Sequence, residues 1–242
     1  MGSSAPESNF RAVLFDWDGT LVRSDGASPG AATTASVATL RNHGHGVTIE
    51  AFEAALAASL PPYVPGETVS SPRLDAVLAA ALRALGVEPA AALIDACCDC
   101  FCAADCAAQQ AFDDARAMVA SLRYRGYRLA VVSNTLFGAR HFEQRIAAAG
   151  LAGYFHAVIC SADVGFSKPH PAPYRAALTV LGLEPAQALF VGDRADTDIA
   201  GAAAAGIPAV LLDRSRDAPD PAARVIDRLS GLTAYLGEGI RT

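Results

Sequence analysis

Large aromatic side chains are scarce in this chain. Trp17 is the only tryptophan, aromatic residues make up 7% of the sequence, and alanine runs supply much of a 52% hydrophobic fraction. A core built on small-residue helix packing is therefore expected. Positive charge is also short. The formal net charge of -6 argues against a sequence-independent nucleic-acid binder, whose surface must neutralise phosphates. It leaves room for a small phosphorylated ligand, because a local site can be positive on an acidic protein. No uncharged apolar run reaches membrane-spanning length. The opening residues lack the basic segment and apolar stretch of a signal peptide. From these absences we expect no nucleic-acid partner, no membrane contact and a cytoplasmic location.

Cysteine is present but not spread out. Five of the six cysteines, Cys97, Cys98, Cys100, Cys102 and Cys106, crowd one segment, and Cys160 stands apart. That is not the spaced framework of a secreted disulfide protein. Cys98, Cys102 and Cys106 recur every four residues and would share one helix face, with Cys97 and Cys100 pointing elsewhere. With no paired Cys-x-x-Cys motifs and no nearby histidine, they read as small apolar residues of a helix interface, not as a soft-metal or redox site.

The length of 242 residues suits an α/β core carrying a smaller insertion. Residues 11–16 (RAVLFD) read as a short buried strand. From about Ser24 to about Gln110 the pattern is helical, with few strand signals. Helices are expected from Thr33 to His43, from Thr48 as cap with an acidic first turn, from Ser71-Pro72, and after Pro89. Strand and helix then alternate. Strands are expected at Arg128–Ser133, Ala157–Cys160, Ala188–Val191, Ala209–Leu212 and Val225–Ile226. Helices are expected at Ala115–Arg125, Ala139–Ala149, Pro171–Leu181, Asp198–Ala205 and from Ser230. This alternation predicts a mostly parallel sheet covered on both faces. The fold class is thus α/β, a Rossmann-like parallel sheet core of residues 1–21 and 111–242, with an inserted helical cap of residues 22–110.

In such a sheet, ligands sit beyond the carboxyl ends of the strands. Asp16 and Asp18 follow the first strand, and Ser133 and Asn134 end the second. Lys168 follows the third on a loop, and Asp193, Asp196 and Asp198 follow the fourth. Clustered carboxylates repel one another unless a cation joins them. An all-oxygen donor set suits a hard ion such as Mg²⁺. A carboxylate can also act as a nucleophile toward phosphorus, with the metal and Lys168 neutralising the transferred group. Trp17, between the two aspartates, is expected to point away from them and pack.

Four motifs, DWDGTL (16–21), VVSN (131–134), VGFSKPHPAPY (164–174) and VGDRADTDIAGAAAAG (191–206), appear in the order and spacing of a known family. The chain resembles the haloacid dehalogenase-like superfamily, especially its phosphoglycolate phosphatase-like branch. The resemblance implies a nucleophilic Asp16 and an Asp18 that protonates the leaving oxygen and then activates water. It implies that Ser133, the Asn134 amide and Lys168 hold the phosphoryl group, and that Mg²⁺ is bound by Asp16, the Asp18 carbonyl and Asp193. Asp198 would act through water or by orienting Lys168, and Asp196 matches no required position. The cap would close over the site and carry substrate recognition, with Arg23, Asp25 and Tyr63 as candidate pocket residues. Arg140 and His141, just after the second motif, fit either a substrate contact or a surface role.

The resemblance also sets the alternatives. Haloacid dehalogenases of this superfamily lack the second aspartate, so Asp18 favours phosphoester chemistry. Phosphonate-cleaving relatives need a cap lysine, and this cap has none. The expected activity is Mg²⁺-dependent hydrolysis of a small phosphorylated metabolite through a phospho-aspartyl intermediate. A phosphosugar mutase and a non-catalytic phosphometabolite-binding protein are the alternatives, and a homodimer is left open.

Overall fold

The computed structural model describes residues 9–23, 29–61, 70–215 and 224–236. In chain order the elements begin with β1 (Ala12–Phe15), β2 (Val22–Arg23), α1 (Pro29–Asn42), α2 (Ile49–Ser59), α3 (Leu74–Ala84), α4 (Ala91–Ala108) and β3 (Gln110–Ala111). They continue with α5 (Ala115–Tyr124), β4 (Arg128–Ser133), α6 (Ala139–Ala148), β5 (Ala157–Cys160), α7 (Ser161–Val164) and α8 (Pro171–Leu181). The last are β6 (Ala188–Gly192), α9 (Ala200–Ala204), β7 (Ala209–Leu212) and β8 (Val225–Ile226). Six strands form one sheet in the order β5-β4-β1-β6-β7-β8, and every pairing is parallel.

The apolar run of β1 is explained by its place. It lies between β4 and β6, and all four of its residues are buried. A strand covered on both faces has no use for polar alternation. Side chains still alternate between faces. Val13 and Phe15 point into a cluster with Val119 and Leu122 of α5 and Phe142 and Ile146 of α6. Ala12 and Leu14 point the other way, toward Tyr174 and Leu178 of α8 and Ala202 of α9. Trp17 packs with the first set, edge-on to Phe142 at 5.4 Å between ring centres. The expected doubly covered parallel sheet is therefore what forms.

Helices α1 to α4 carry a separate apolar cluster that includes Val37, Leu40, Phe52, Leu78, Leu82 and Cys97. Thr48 caps α2 as expected, its Oγ accepting from the Ala51 amide at 3.2 Å. The chain enters and leaves this helical segment side by side, because β2 and β3 pair antiparallel with Val22 opposite Ala111 and Arg23 opposite Gln110. Neither short strand is visible in the sequence pattern.

Several boundaries differ from expectation for identifiable reasons. The first helix starts earlier, at Pro29, a position that proline favours. The third starts at Leu74, not at Pro72. Ser71 is held instead by the core: its amide donates to the Gly165 carbonyl at 3.1 Å and its Oγ lies 2.8 Å from that of Ser161. The fourth starts at Ala91, with Ala90 extended. The helix expected from Asp198 is a π-turn, Ala195–Ile199, leading into α9. Tyr174 holds that turn open by donating to the Thr197 carbonyl at 2.7 Å. The last helix is a 3-10 turn, Leu229–Ala234. Cys97 is as buried as Cys98 and Cys102, because α4 packs against α1 on one side and α6 on the other.

Candidate active site

Register brings the reactive groups together. Phe15 stands opposite Val131 of β4 and Val191 of β6, so the residues that end these three strands emerge at one edge of the sheet. Asp16 follows Phe15 and is tied to β6 by its amide, which donates to the Val191 carbonyl at 2.9 Å. Ser133 is buried at the end of β4. Asp193 directly follows β6.

Lys168 is the only lysine of the chain. It reaches this edge from the loop between α7 and α8. Asn134 clamps that loop, its Nδ2 donating to the Lys168 carbonyl at 3.0 Å and its Oδ1 accepting from the Lys168 amide at 2.7 Å. The buried ammonium donates to Asp16 Oδ1 at 2.5 Å and to Asp198 Oδ1 at 2.7 Å. Burial disfavours the charge on Lys168, but Asp16 and Asp198 outweigh it and hold the pKa above its ordinary value. The other oxygen of Asp198 accepts from the Arg194 amide at 3.1 Å. The π-turn thus fixes Asp198 on the lysine, while Asp196 faces solvent and pairs with Arg194 at 2.8 Å. π-turns recur at functional sites.

Lys168 is ion-paired with two of the three carboxylates gathered here, Asp16 and Asp198. Asp16, Asp193 and Asp198 offer oxygens within 4.8 Å of one another. Burial pushes the Asp16 pKa up to about 7; Lys168 opposes this, and Asp198 and Asp193 add to it. Asp193 is raised by burial and by Asp198. Its Oδ1 is buried without a hydrogen-bond partner among the described residues. The DWDGT loop is pressed against this carboxylate, and a Cβ on Gly19 would fall 2.3 Å from Asp193 Oδ2. Crowded oxygens, excess negative charge and an orphaned acceptor fit a hard divalent cation.

Asp18 lies on the same loop with its side chain about half exposed. Its Oδ2 accepts from Arg145 Nη2 at 3.2 Å. Arg145 lies outside all four sequence motifs. Its signal in the sequence is a charge on the apolar face of α6, where Phe142 and Ile146 are its buried neighbours. Arg23 is exposed and bonds to Gln110 Oε1 at 3.2 Å; Asp25 and Tyr63 lie outside the described residues. Arg140 and His141 line a separate cavity of about 330 Å³ between α3, α4 and α6, together with Arg73, Asp95 and Asp163. The His141 ring there bonds to Asp99 at 3.1 Å.

Residues 10–206 match the family model described as haloacid dehalogenase-like hydrolase. The chain belongs to the haloacid dehalogenase-like hydrolase family. It is 31% identical to the glyceraldehyde 3-phosphate phosphatase of Methanopyrus kandleri, over 85% of both chains. It is 33% identical to the phosphoglycolate phosphatase of Pectobacterium atrosepticum, over 83% of this chain and 79% of that one. Identity to the phosphoserine phosphatase of Thermus thermophilus is 38%, over 53% of this chain and about half, 51%, of that protein.

Among solved structures, a haloacid dehalogenase-like phosphatase from Thermococcus onnurineus matches 95% of this chain and 99% of its own, with a TM-score of 0.62 at 23% identity. A 2-haloacid dehalogenase from Pseudomonas syringae gives the same TM-score at 26% identity, over 93% and 97% of the two chains. Fold likeness therefore does not separate the two chemistries of this hydrolase family. Side chains at the site have to.

Proposed function

We propose that this hydrolase is a Mg²⁺-dependent phosphomonoesterase that acts on a small phosphorylated metabolite through a phospho-aspartyl intermediate on Asp16. The observation that carries the reading is the pairing of Asp16, held by Lys168 at 2.5 Å, with a second carboxylate, Asp18, on the same loop. A dehalogenase needs only the first, because halide leaves without a proton. An alkoxide leaving group needs both. The named phosphatase relatives support the same choice.

In this reading an Asp16 oxygen attacks phosphorus while Asp18 gives its proton to the departing oxygen. Asp18, now ionised, takes a proton from the water that attacks phosphorus and releases Asp16 and inorganic phosphate. Ser133, the Asn134 amide and Lys168 hold the phosphoryl oxygens, and Asp198 keeps Lys168 in place. Asp16, Asp193 and the Asp18 carbonyl would hold Mg²⁺, which supplies positive charge against the phosphoryl oxygens. Residues 22–110 act as a cap that excludes water.

The test is phosphate release from a panel of phosphorylated metabolites, with Mg²⁺ or EDTA, for wild type and Asp16→Asn. Metal-dependent release that the variant loses supports the reading. Release that survives Asp16→Asn removes the nucleophile assignment.

A further inference from the structure

Arg145 sits on α6 with 3% of its surface exposed, and its guanidinium bridges two carboxylates from distant parts of the chain. Nη2 donates to Asp18 Oδ2 at 3.2 Å, and Nε is ion-paired with Asp105 of α4. The cation also lies over the Phe142 ring, 4.7 Å from its centre. Asp105 in turn accepts from Gln109 Nε2 at 3.1 Å, and Gln109 Oε1 accepts from Trp17 Nε1 at 3.1 Å. Trp17 and Asp18, the two residues after Asp16, are thereby tied to the same end of α4, Trp17 through Gln109 and Asp18 through Arg145.

We propose that Arg145 is a positioning residue that aims the Asp18 carboxyl at the leaving-group oxygen, with Asp105 of α4 bracing it from the other side. This rests on the phosphatase reading above. A planar guanidinium can hold two carboxylates at fixed angles, which an ammonium cannot. Nη2 and Nε face Asp18 and Asp105, and one face of the guanidinium lies against the Phe142 ring. Asp18 is half exposed on a loop, and a proton donor there works only when held within hydrogen-bond reach of the departing oxygen.

The consequence is specific to the leaving group. A nitrophenolate leaves without a proton donor, whereas an alkoxide does not. The experiment measures kcat/KM, which reports phosphoryl transfer to Asp16, for 2,4-dinitrophenyl phosphate and for a simple alkyl phosphate. It uses the full chain with Mg²⁺ and compares wild type, Arg145→Met, Arg145→Lys and Asp105→Asn, with thermal melts to show that each folds. For Arg145→Met the alkyl ester is expected to lose about a hundredfold, the size of a general-acid contribution, while the dinitrophenyl ester stays within about threefold. Arg145→Lys and Asp105→Asn should shift the ratio in the same direction by less. Should Arg145→Met not fold, those two variants decide the matter. Equal losses on both esters, or a loss confined to KM for carboxylate-bearing substrates, would overturn the assignment. Wild type that releases phosphate from neither ester overturns the phosphatase reading itself, and this role with it.

Discussion

Trp17 and Gln109, 92 residues apart in the chain, share a buried hydrogen bond in which the indole Nε1 donates to the amide Oε1 at 3.1 Å. It joins the turn that follows Asp16 to the end of the longest helix of the α1–α4 segment. A Gln109→Leu substitution leaves the indole N–H buried without an acceptor. That costs about 1–3 kcal/mol. Trp17 is the only tryptophan, so its own fluorescence follows unfolding in denaturant. The midpoint is expected to fall, and an unchanged midpoint would show that the bond adds nothing.

A second prediction concerns pH. The folded pKa of Asp16, about 7, lies above the ordinary value of 3.8, so the folded state binds this proton more tightly than the unfolded state does. Ionised Asp16 therefore weakens the metal-free fold above pH 7. That penalty is relieved as pH falls from about 7 toward about 4, by at most about 1.4 kcal/mol per pH unit for one proton. Urea midpoints in EDTA should show this rise for wild type, and Asp16→Asn should lack it. Parallel pH curves for the two proteins would contradict the assignment.

Gly19 should tolerate no side chain. Its φ is +85° and a Cβ would lie 2.3 Å from Asp193 Oδ2, so alanine must displace the carboxylate as well as adopt a left-handed backbone. Gly19→Ala is expected to lose a hundredfold or more of Mg²⁺-dependent phosphate release, on the order of 3 kcal/mol, while unfolding shifts by only about 1–2 kcal/mol. Mg²⁺ titration of both proteins, read by thermal shift, should show weaker stabilisation of the variant.

The cysteines make a fourth case. Burial pushes the Cys97 thiol up to about 11 and those of Cys98, Cys102 and Cys160 to about 12. Few thiolates exist at pH 8, and thiolate is the reactive form. In the folded protein a thiol reagent should modify the half-buried Cys100 and Cys106 first, with the other four following only on denaturation. Mass mapping of labelled peptides checks the order. Rapid labelling of Cys98 or Cys102 would contradict the packing role.

Local pattern and long-range contact divide this protein cleanly. The strands of the parallel sheet and most helices could be read because their signals are local: a buried parallel strand is a short apolar run, and Thr48 marks its helix from the position just before it. Asp16, Ser133, Lys168, Asp193 and Asp198 could be placed together because strand ends in a parallel sheet share one edge, whereas Asp196, placed with them by the same argument, faces solvent. The π-turn at Ala195–Ile199 could not be read, because Tyr174 on another helix holds it open. Nor could the use of Arg145, whose partner Asp18 is 127 residues away. A charge on an apolar helix face announces that some partner must exist, since burying it alone is too costly. Which carboxylate answers depends on how α4 and α6 pack against the turn after β1, and only the folded chain settles that.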